Sequence, residues 1–155
     1  MNIHALLDKS AILSGCTAES KEDLLNAMVD ALDSKVTETQ LSEIRAAVFE
    51  REKIMSTGVG KSLAIPHGKV SSLQEHLASF ALLKNSIDFE SIDEKPVKMA
   101  FLLVGPEGKN STHIKLLSRI SRLMNSSAFR EALTQCESAE EIHAVFYQEE
   151  NRYFQ

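Results

Sequence analysis

The pattern of apolar and polar residues changes character along the chain. Before residue 55, two segments repeat apolar residues with the helical period: one follows Ser20, and the next opens at Thr39 and ends near Arg51-Glu52. Ser20 stands three positions before Asp23, a spacing typical of a capped helix N-terminus. The first third of the sequence therefore predicts two helices.

The middle of the chain contains short apolar runs bounded by Pro, Gly, Asn or charged residues. Three of these runs, whose lengths suit buried strands, are 63–65, 77–83 and 97–104. The helical period returns over residues 112–124, and Ser138 caps a last helix that reaches about Gln148. This order predicts one α/β layered domain with a central mixed, mostly parallel sheet and helices on both faces.

The end of the chain has a different origin in this interpretation. Residues 150–155 match Glu-x-x-Tyr-x-Gln, the pattern of a protease site used to remove tags. We therefore predict a domain over residues 1–148 and a tail over 149–155 that is partly a tag remnant. The tail is excluded from the predicted fold.

Composition excludes several classes of function. The 155 residues carry 17 Lys+Arg against 22 Asp+Glu, a net charge of −5, and no basic block suited to nucleic acid. The longest apolar stretch, 99–104, is far shorter than the roughly 20 residues of a membrane helix, and no leader opens the chain. Cys16 and Cys136 suit a reducing compartment, and the five histidines are too scattered to predict a metal site. A cytoplasmic protein is expected.

Small and ionisable residues concentrate between residues 51 and 69. Gly60-Lys61-Ser62 ends like a nucleotide-binding P-loop, but Met55 stands where that loop needs its first glycine. The segment that follows Ser62 also predicts a strand instead of the required helix. Nucleotide binding is therefore not favoured.

His67 is the candidate reactive residue of this segment. It follows a short apolar run and lies between Pro66, which restricts the backbone, and Gly68, which lets the chain turn away. Alone, this triplet is also compatible with a loop histidine that has no task. Its neighbours offer anion-binding donors and positive charge, namely Ser56, Thr57, Gly58, Gly60, Arg51, Lys61 and Lys69.

These residues resemble the enzyme IIA (EIIA) proteins of the bacterial phosphoenolpyruvate-dependent sugar phosphotransferase system, of the fructose, mannitol and nitrogen-regulatory type. The motifs that carry the resemblance are Arg51-Glu52, Ser56-Thr57-Gly58-Val59-Gly60 and Ala64-Ile65-Pro66-His67-Gly68. Later segments over 88–97, 100–106 and 113–117 are also similar, so the resemblance covers residues 1–148. It implies that His67 is phosphorylated, with His113 as a second histidine and Arg51 as an active-site arginine.

The resemblance also implies a phosphoryl relay. His67 accepts a phosphoryl group from the phosphocarrier HPr and passes it to a cysteine of an EIIB partner, with the membrane involved only through the sugar permease. Helix-start donors from His113 and Thr112, together with Ser56, Thr57, Gly58 and Gly60, would hold the phosphoryl oxygens. No metal or organic cofactor is required. We expect a shallow apolar depression rimmed by Ile54, Val59 and Ile65.

One position departs from the family pattern. Ser62 stands where many members have a third glycine, and a positive φ there would cost about 1 kcal/mol or more. We expect a turn that serine tolerates and an unchanged role for His67.

Three other functions remain open at this point. The first is a nitrogen-type regulatory phosphoprotein, in which the same histidine is phosphorylated but the output is binding to another protein. The second is an interaction module that has kept the fold without the chemistry. The third is a hydrolase with His67 and His113 as an acid/base pair, although no residue stands in a recognisable nucleophile setting.

Overall fold

The middle of the sheet is a strand whose two faces are both covered. In the computed structural model, which describes residues 2–154, this strand is β6 (Val97–Pro106), where every residue but the half-buried Lys98 is buried. Phe101 and Leu103 pack in one hydrophobic cluster, whereas Ala100 and Leu102 pack in another. The alternation places β6 between two helical layers.

The remaining strands extend the sheet on both sides of β6. Strand β5 (Leu77–Ile87) is antiparallel to β6, and β1 (Ile12–Cys16) is parallel to β5. The opposite side of β6 pairs in parallel with two short strands, β3 (Leu63–Ala64) and then β4 (His67–Val70). Strand β2 (Gly58–Gly60) pairs antiparallel with β3. The predicted mixed, mostly parallel sheet is confirmed.

Helices cover both faces of the sheet, as predicted. Helices α2 (Lys21–Asp30) and α3 (Glu38–Ile54) supply one hydrophobic cluster. The opposite cluster contains residues from α1 (Ile3–Leu6), α4 (Asn110–Asn125), α5 (Ser127–Thr134) and α6 (Ala139–Tyr153). Among residues 2–154, no helix combines the length and apolarity needed to cross a membrane.

The helix starts follow their capping residues. Ser20 accepts a hydrogen bond from the Asp23 N–H at 3.1 Å, as its spacing predicts. The predicted start of α3 at Thr39 is wrong, because Thr37 and Gln40 form a reciprocal capping box before it. The same helix continues beyond the predicted end at Arg51-Glu52 to Ile54.

The end of the chain belongs to the fold. Helix α6 continues past the predicted end at Gln148 to Tyr153, so excluding the tail from the fold was wrong. Glu150 is only 2% exposed and accepts hydrogen bonds from the Ile3 N–H at 2.6 Å, the His4 N–H at 2.8 Å and Arg119 Nε at 2.7 Å. This carboxylate therefore joins α1, α4 and α6.

The turn between β2 and β3 has an unusual backbone. Lys61 and Ser62 both adopt positive φ, at 57° and 61°, and they connect the facing residues Gly60 and Leu63. A two-residue hairpin turn with positive φ at both positions matches the right-handed twist of the strands. Ser62 thus adopts the positive φ at which a serine is strained, instead of the expected turn that serine tolerates. The Ser62 carbonyl accepts the Lys98 N–H at 2.8 Å.

We expect Glu150→Gln to destabilise the protein by about 1–3 kcal/mol at neutral pH, because buried donors lose a charged acceptor. Burial alone raises the pKa of Glu150, but hydrogen bonds from His4, Ile3 and Arg119 outweigh it and lower that pKa below its usual 4.5. A lowered carboxyl pKa stabilises the fold above the unfolded-state value, and this stabilisation is lost as pH falls through the folded-state value.

Urea denaturation of the wild type and Glu150→Gln at about pH 7 and about pH 3 measures this effect. The stability difference should shrink at the acid pH, whereas the exposed Glu137→Gln serves as the matched control. An equal difference at both pH values would contradict the role of the Glu150 charge.

We expect Ser62→Gly to raise the free energy of unfolding by about 0.5–1 kcal/mol, because glycine adopts positive φ without steric cost. Ser71→Gly, at an exposed position without positive φ, is the matched control and should be neutral or destabilising. Thermal or urea unfolding measures both variants, and a destabilised Ser62→Gly would argue against strain in this turn.

Candidate functional site

His67 lies at an interruption in the strand that borders β6. Strand β3 ends at Ala64, Pro66 has no N–H to donate, and His67 begins β4 opposite Leu103. The His67 ring is half-buried, and its Nδ1 lies 3.0 Å from the Ile65 carbonyl oxygen. A carbonyl only accepts, so Nδ1 carries the proton and the lone pair of the neutral ring is on Nε2.

Gly68 has a different role from the predicted one. The chain does not turn away after His67, since β4 continues to Val70. A Cβ on Gly68 would lie 3.3 Å from the carbonyl carbon of Ala47 and from the Val48 nitrogen of α3. The missing side chain therefore lets α3 pack closely against β4.

This packing brings the last turn of α3 to His67. Arg51 donates from Nη1 to the Met55 carbonyl at 2.9 Å, at the end of that helix. The open depression beside His67 is lined by residues from α3, β4, the β6–α4 connection and the start of α4, including Arg51, Ile54, His67, Lys69, Glu107 and His113. The structure thus brings together the three residues predicted to be catalytic, His67, His113 and Arg51.

His113 lies next to His67 and contacts a third histidine, His76. The ring centroid of His113 lies 5.9 Å from that of His67, and His113 is only 4% exposed. His113 Nδ1 lies 3.2 Å from Nε2 of His76, which is 5% exposed. Within residues 2–154, His113 Nε2 is buried and has no hydrogen-bond partner. Such an unpaired polar atom beside a depression is suited to a ligand.

His76 is absent from the sequence prediction. It precedes β5 in a polar segment and matches no motif. Its position follows from the pairing of β5 with β6, because Leu77 faces Val104 and β6 leads towards α4. The antiparallel register was therefore the only signal that could have placed His76 near His113.

The glycine-rich loop does not line the depression. The Thr57 hydroxyl and N–H both donate to the buried Glu52 carboxylate, and the Gly58 N–H donates to Ser56 Oγ at 3.1 Å. Gly60 lies in the hairpin turn. The prediction that Thr57 and Gly58 present these donors to a phosphoryl group is wrong, because other groups of the loop and of α3 already accept them.

The loop instead supports the strand that leads to His67. Glu52 also forms an ion pair with Lys21 Nζ at 2.8 Å, and this contact connects the loop to α2. The Thr57 carbonyl accepts the Ile65 N–H at 3.0 Å. Ile65 in turn holds His67 Nδ1 through its carbonyl. The loop thus influences His67 through Ile65, whose N–H bonds to the loop and whose carbonyl bonds to the His67 ring.

Thr112 lies in a neighbouring groove rather than beside His67. It is half-buried in the first turns of α4 and shares that groove with Ile114 and Phe154. The predicted rim of the depression is right only for Ile54, which is 79% exposed and lines it. Val59 is 57% exposed but belongs to the loop that does not line the depression, and Ile65 is buried at 6%.

Burial and positive charge keep the three imidazoles neutral. Burial lowers the pKa of His67; the bond to Ile65 opposes this shift, whereas the nearby charge of Arg51 adds to it. Burial lowers the pKa of His113 to about 4, with further contributions from His76, His67 and Lys69. The pKa of His76 is lowered by burial and by Lys109. At neutral pH each ring therefore carries one N–H and one lone pair.

Within residues 2–154, no group of three His, Cys, Asp or Glu side chains is placed to hold a metal ion. A neutral, outward-facing Nε2 with cationic side chains nearby is instead a nucleophile suited to an anionic electrophile.

The fold and site define a class of α/β protein with a half-buried histidine on an edge strand, and sequence comparison makes this specific. The chain belongs to the family "Phosphoenolpyruvate-dependent sugar phosphotransferase system, EIIA 2", whose model matches residues 5–149. It is 36% identical over 145 residues to a nitrogen regulatory protein of Bradyrhizobium diazoefficiens, covering 94% of each chain.

A second relative is much longer than this chain. The fructose-specific EIIABC component of the phosphotransferase system of Bacillus subtilis is 33% identical over 148 residues. The match covers 96% of this chain but 23% of that protein, so the chain spans less than a quarter of the length of this relative.

Solved structures have the same fold. The nitrogen regulatory protein IIA-Ntr of Neisseria meningitidis superimposes with a TM-score of 0.86 at 29% identity, covering 93% of this chain and 98% of that one. Enzyme IIAMTL of Escherichia coli, solved in complex with phosphorylated enzyme IIBMTL, has a TM-score of 0.75 at 18% identity. That match covers 92% of this chain and 99% of the other.

We expect the imidazole of His113 to have a pKa of about 4, well below the ordinary 6.5. Burial disfavours its charged form, and the neighbouring His76, His67 and Lys69 disfavour it further. Its 15N ring resonances, followed by NMR from neutral to acid pH and assigned with His113→Asn, measure this directly. Protonation near pH 6.5 would contradict the burial of the ring. Protonating His113 should also destabilise the fold as pH falls.

Proposed function

We propose that this protein is a phosphocarrier in which His67 accepts a phosphoryl group from phospho-HPr and passes it to a cysteine of an EIIB partner for sugar uptake. The observation that carries the proposal is the pairing of an oriented nucleophile with an unoccupied donor site. The Ile65 carbonyl holds His67 Nδ1, and the neighbouring buried Nε2 of His113 has no hydrogen-bond partner within residues 2–154.

The nitrogen that reacts is Nε2 of His67. Its lone pair attacks the phosphorus of the donor phosphohistidine, a P–N bond forms, and the P–N bond of the donor breaks with its electron pair returning to the donor imidazole. Because the proton stays on Nδ1, hydrogen-bonded to the Ile65 carbonyl, no proton has to leave the ring before attack. The lowered pKa of His67 supports a ring that is neutral and nucleophilic at pH 7.

The surrounding groups suit the charge that develops in this transfer. A phosphoryl transition state spreads negative charge over three oxygens, so fixed donors and cations stabilise it. His113 Nε2 is the candidate fixed donor, while Arg51 and Lys69 supply positive charge at the same depression. Asn110 accepts Lys69 Nζ at 2.8 Å and holds that lysine at the start of α4.

The second half-reaction requires an accessible phosphohistidine. A thiolate of the EIIB partner attacks the phosphorus, an S–P bond forms, and the P–N bond to His67 breaks. Ile54, which is 79% exposed and lines the depression, and Ile114, which is 66% exposed in the neighbouring groove, are large apolar side chains that suit contact with a partner protein. The Escherichia coli complex of IIAMTL with phosphorylated IIBMTL supports an EIIB partner by analogy of fold.

Net charge supports a donor with a basic docking surface. The chain carries a net charge of −5, and complementary charge accelerates encounter more than it strengthens binding. The complex with HPr should therefore be short-lived, and its rate of formation should fall as the salt concentration rises. A cytoplasmic location follows from this proposal, because HPr is a cytoplasmic protein of that system.

A regulatory function is the second candidate. The 36% identity to a nitrogen regulatory protein of Bradyrhizobium diazoefficiens supports it. In that function the phosphorylation state of His67 controls binding to another protein. The two functions share the first transfer and differ in the second, so transfer from phospho-His67 to a sugar-specific EIIB separates them.

The test is to incubate the protein with phosphoenolpyruvate, enzyme I and HPr, and to measure the intact mass. We expect a gain of one phosphoryl group that is labile in acid and stable in base, and that His67→Ala abolishes. His113→Ala should still be phosphorylated, but its transfers should slow by about 10²–10³-fold, as for loss of one preorganised donor. His143→Ala, a half-buried histidine elsewhere in the fold, is the matched control.

Two outcomes would contradict the proposal. One is a wild-type protein that HPr does not phosphorylate, which favours an interaction module. The other is a phosphoryl group retained in His67→Ala, which assigns the reaction to another residue. Phosphorylation without onward transfer to EIIB would favour the regulatory function.

A further inference from the structure

We propose that His76 is a positioning residue that sets the tautomer and ring orientation of His113, so that His113 directs an N–H from Nε2 towards the phosphoryl group on His67. This inference rests on the proposed function of His67. It concerns a residue that contacts neither the depression nor the reacting atoms, and that acts only through His113.

The contact between the two rings is close and buried. His76 Nε2 lies 3.2 Å from His113 Nδ1, the ring centroids are 5.3 Å apart, and the ring planes are inclined by 32°. Both side chains are at least nine-tenths buried, at 5% and 4% exposure. His113 thus contacts His76 through Nδ1 and has its Nε2 on the far side of the ring, where within residues 2–154 no protein group pairs with it.

The backbone provides the space for this contact. A Cβ on Gly105 would lie 2.2 Å from Cδ2 and 2.3 Å from Nε2 of His76. Any side chain at this position of β6 would therefore push the His76 ring away from His113. Gly105 of β6 pairs with Lys69 of β4, which is the strand that begins at His67. The position that makes room for the His76 ring is therefore held in register with the strand that carries His67.

The position of the single proton on each ring favours one arrangement of His76 and His113. Both rings are neutral at pH 7, since burial lowers the pKa of each and Lys109 and Lys69 also oppose protonation. If His76 Nε2–H donates to His113 Nδ1, the single proton of His113 is on Nε2 and can be donated to a phosphoryl oxygen. The opposite arrangement would place a buried lone pair against an anion, which is unfavourable.

The test compares two amides at position 76. The amide nitrogen of Gln reaches about as far as Nε2 of His, whereas that of Asn stops about where Nδ1 does. His76→Gln should therefore preserve the donor and His76→Asn should remove it with a similar side chain. His143→Asn is the matched control, because it removes a comparable bond, from His143 Nε2 to the His4 carbonyl at 2.9 Å, elsewhere in the fold.

The first measurement is the tautomer of His113 by 15N NMR of the unphosphorylated protein. We expect the proton of the neutral ring on Nε2 in the wild type, in His76→Gln and in His143→Asn, and a mixture of tautomers in His76→Asn. The second measurement is the rate of phosphoryl transfer from HPr. His76→Asn should slow it by about 10–100-fold, as is typical for loss of a partner that orients a reactive histidine, and His76→Gln should restore it.

Gly105→Ala provides an independent variant, because it displaces the His76 ring without changing any imidazole. It should shift the tautomer and rate in the same direction as His76→Asn. The inference is overturned if His113 carries its proton on Nδ1 in the wild type, or if His76→Asn leaves tautomer and rate at the values of the control. Failure of HPr to phosphorylate the wild type would instead overturn the proposed function, while the tautomer measurement would still decide the role of His76.

Discussion

The interruption between β3 and β4 is the constraint on which the site depends. An uninterrupted strand beside β6 would engage its carbonyls in the ladder, but Pro66 has no N–H and separates Ala64 from His67. The Pro66 carbonyl still accepts the Leu103 N–H at 3.1 Å, which keeps the segment attached to the sheet. The Ile65 carbonyl accepts His67 Nδ1 instead, and this contact decides which nitrogen of the histidine faces outward.

Burial around this point has a chemical as well as a structural effect. Removing His113 and His76 from water disfavours their charged forms, and neutral rings retain the lone pairs and single protons that a directed chain of hydrogen bonds requires. The cationic side chains lie farther out, since Lys69 is exposed and Arg51 is half-buried. The site thus separates buried neutral imidazoles from positive charge that lies closer to solvent.

Local signals in the sequence predicted much of the architecture. The helix after Ser20 and the strand β6 depend on neighbouring residues, and these predictions agree with the structure. The motif around His67 indicated the candidate nucleophile, whose reactivity stays a prediction. The Thr57 contact with Glu52 and the His76 contact with His113 arise from packing and strand register. No local pattern distinguishes a loop hydroxyl that binds a ligand from one that is already bonded to a buried carboxylate.

The contact of Glu150 with Ile3 and His4 has a consequence for how such a domain can be assembled into longer polypeptides. Because the first helical turn is bonded to the last helix, both ends of the described chain emerge side by side. The geometry is therefore suited equally to a free-standing protein and to a module inserted into a multidomain chain.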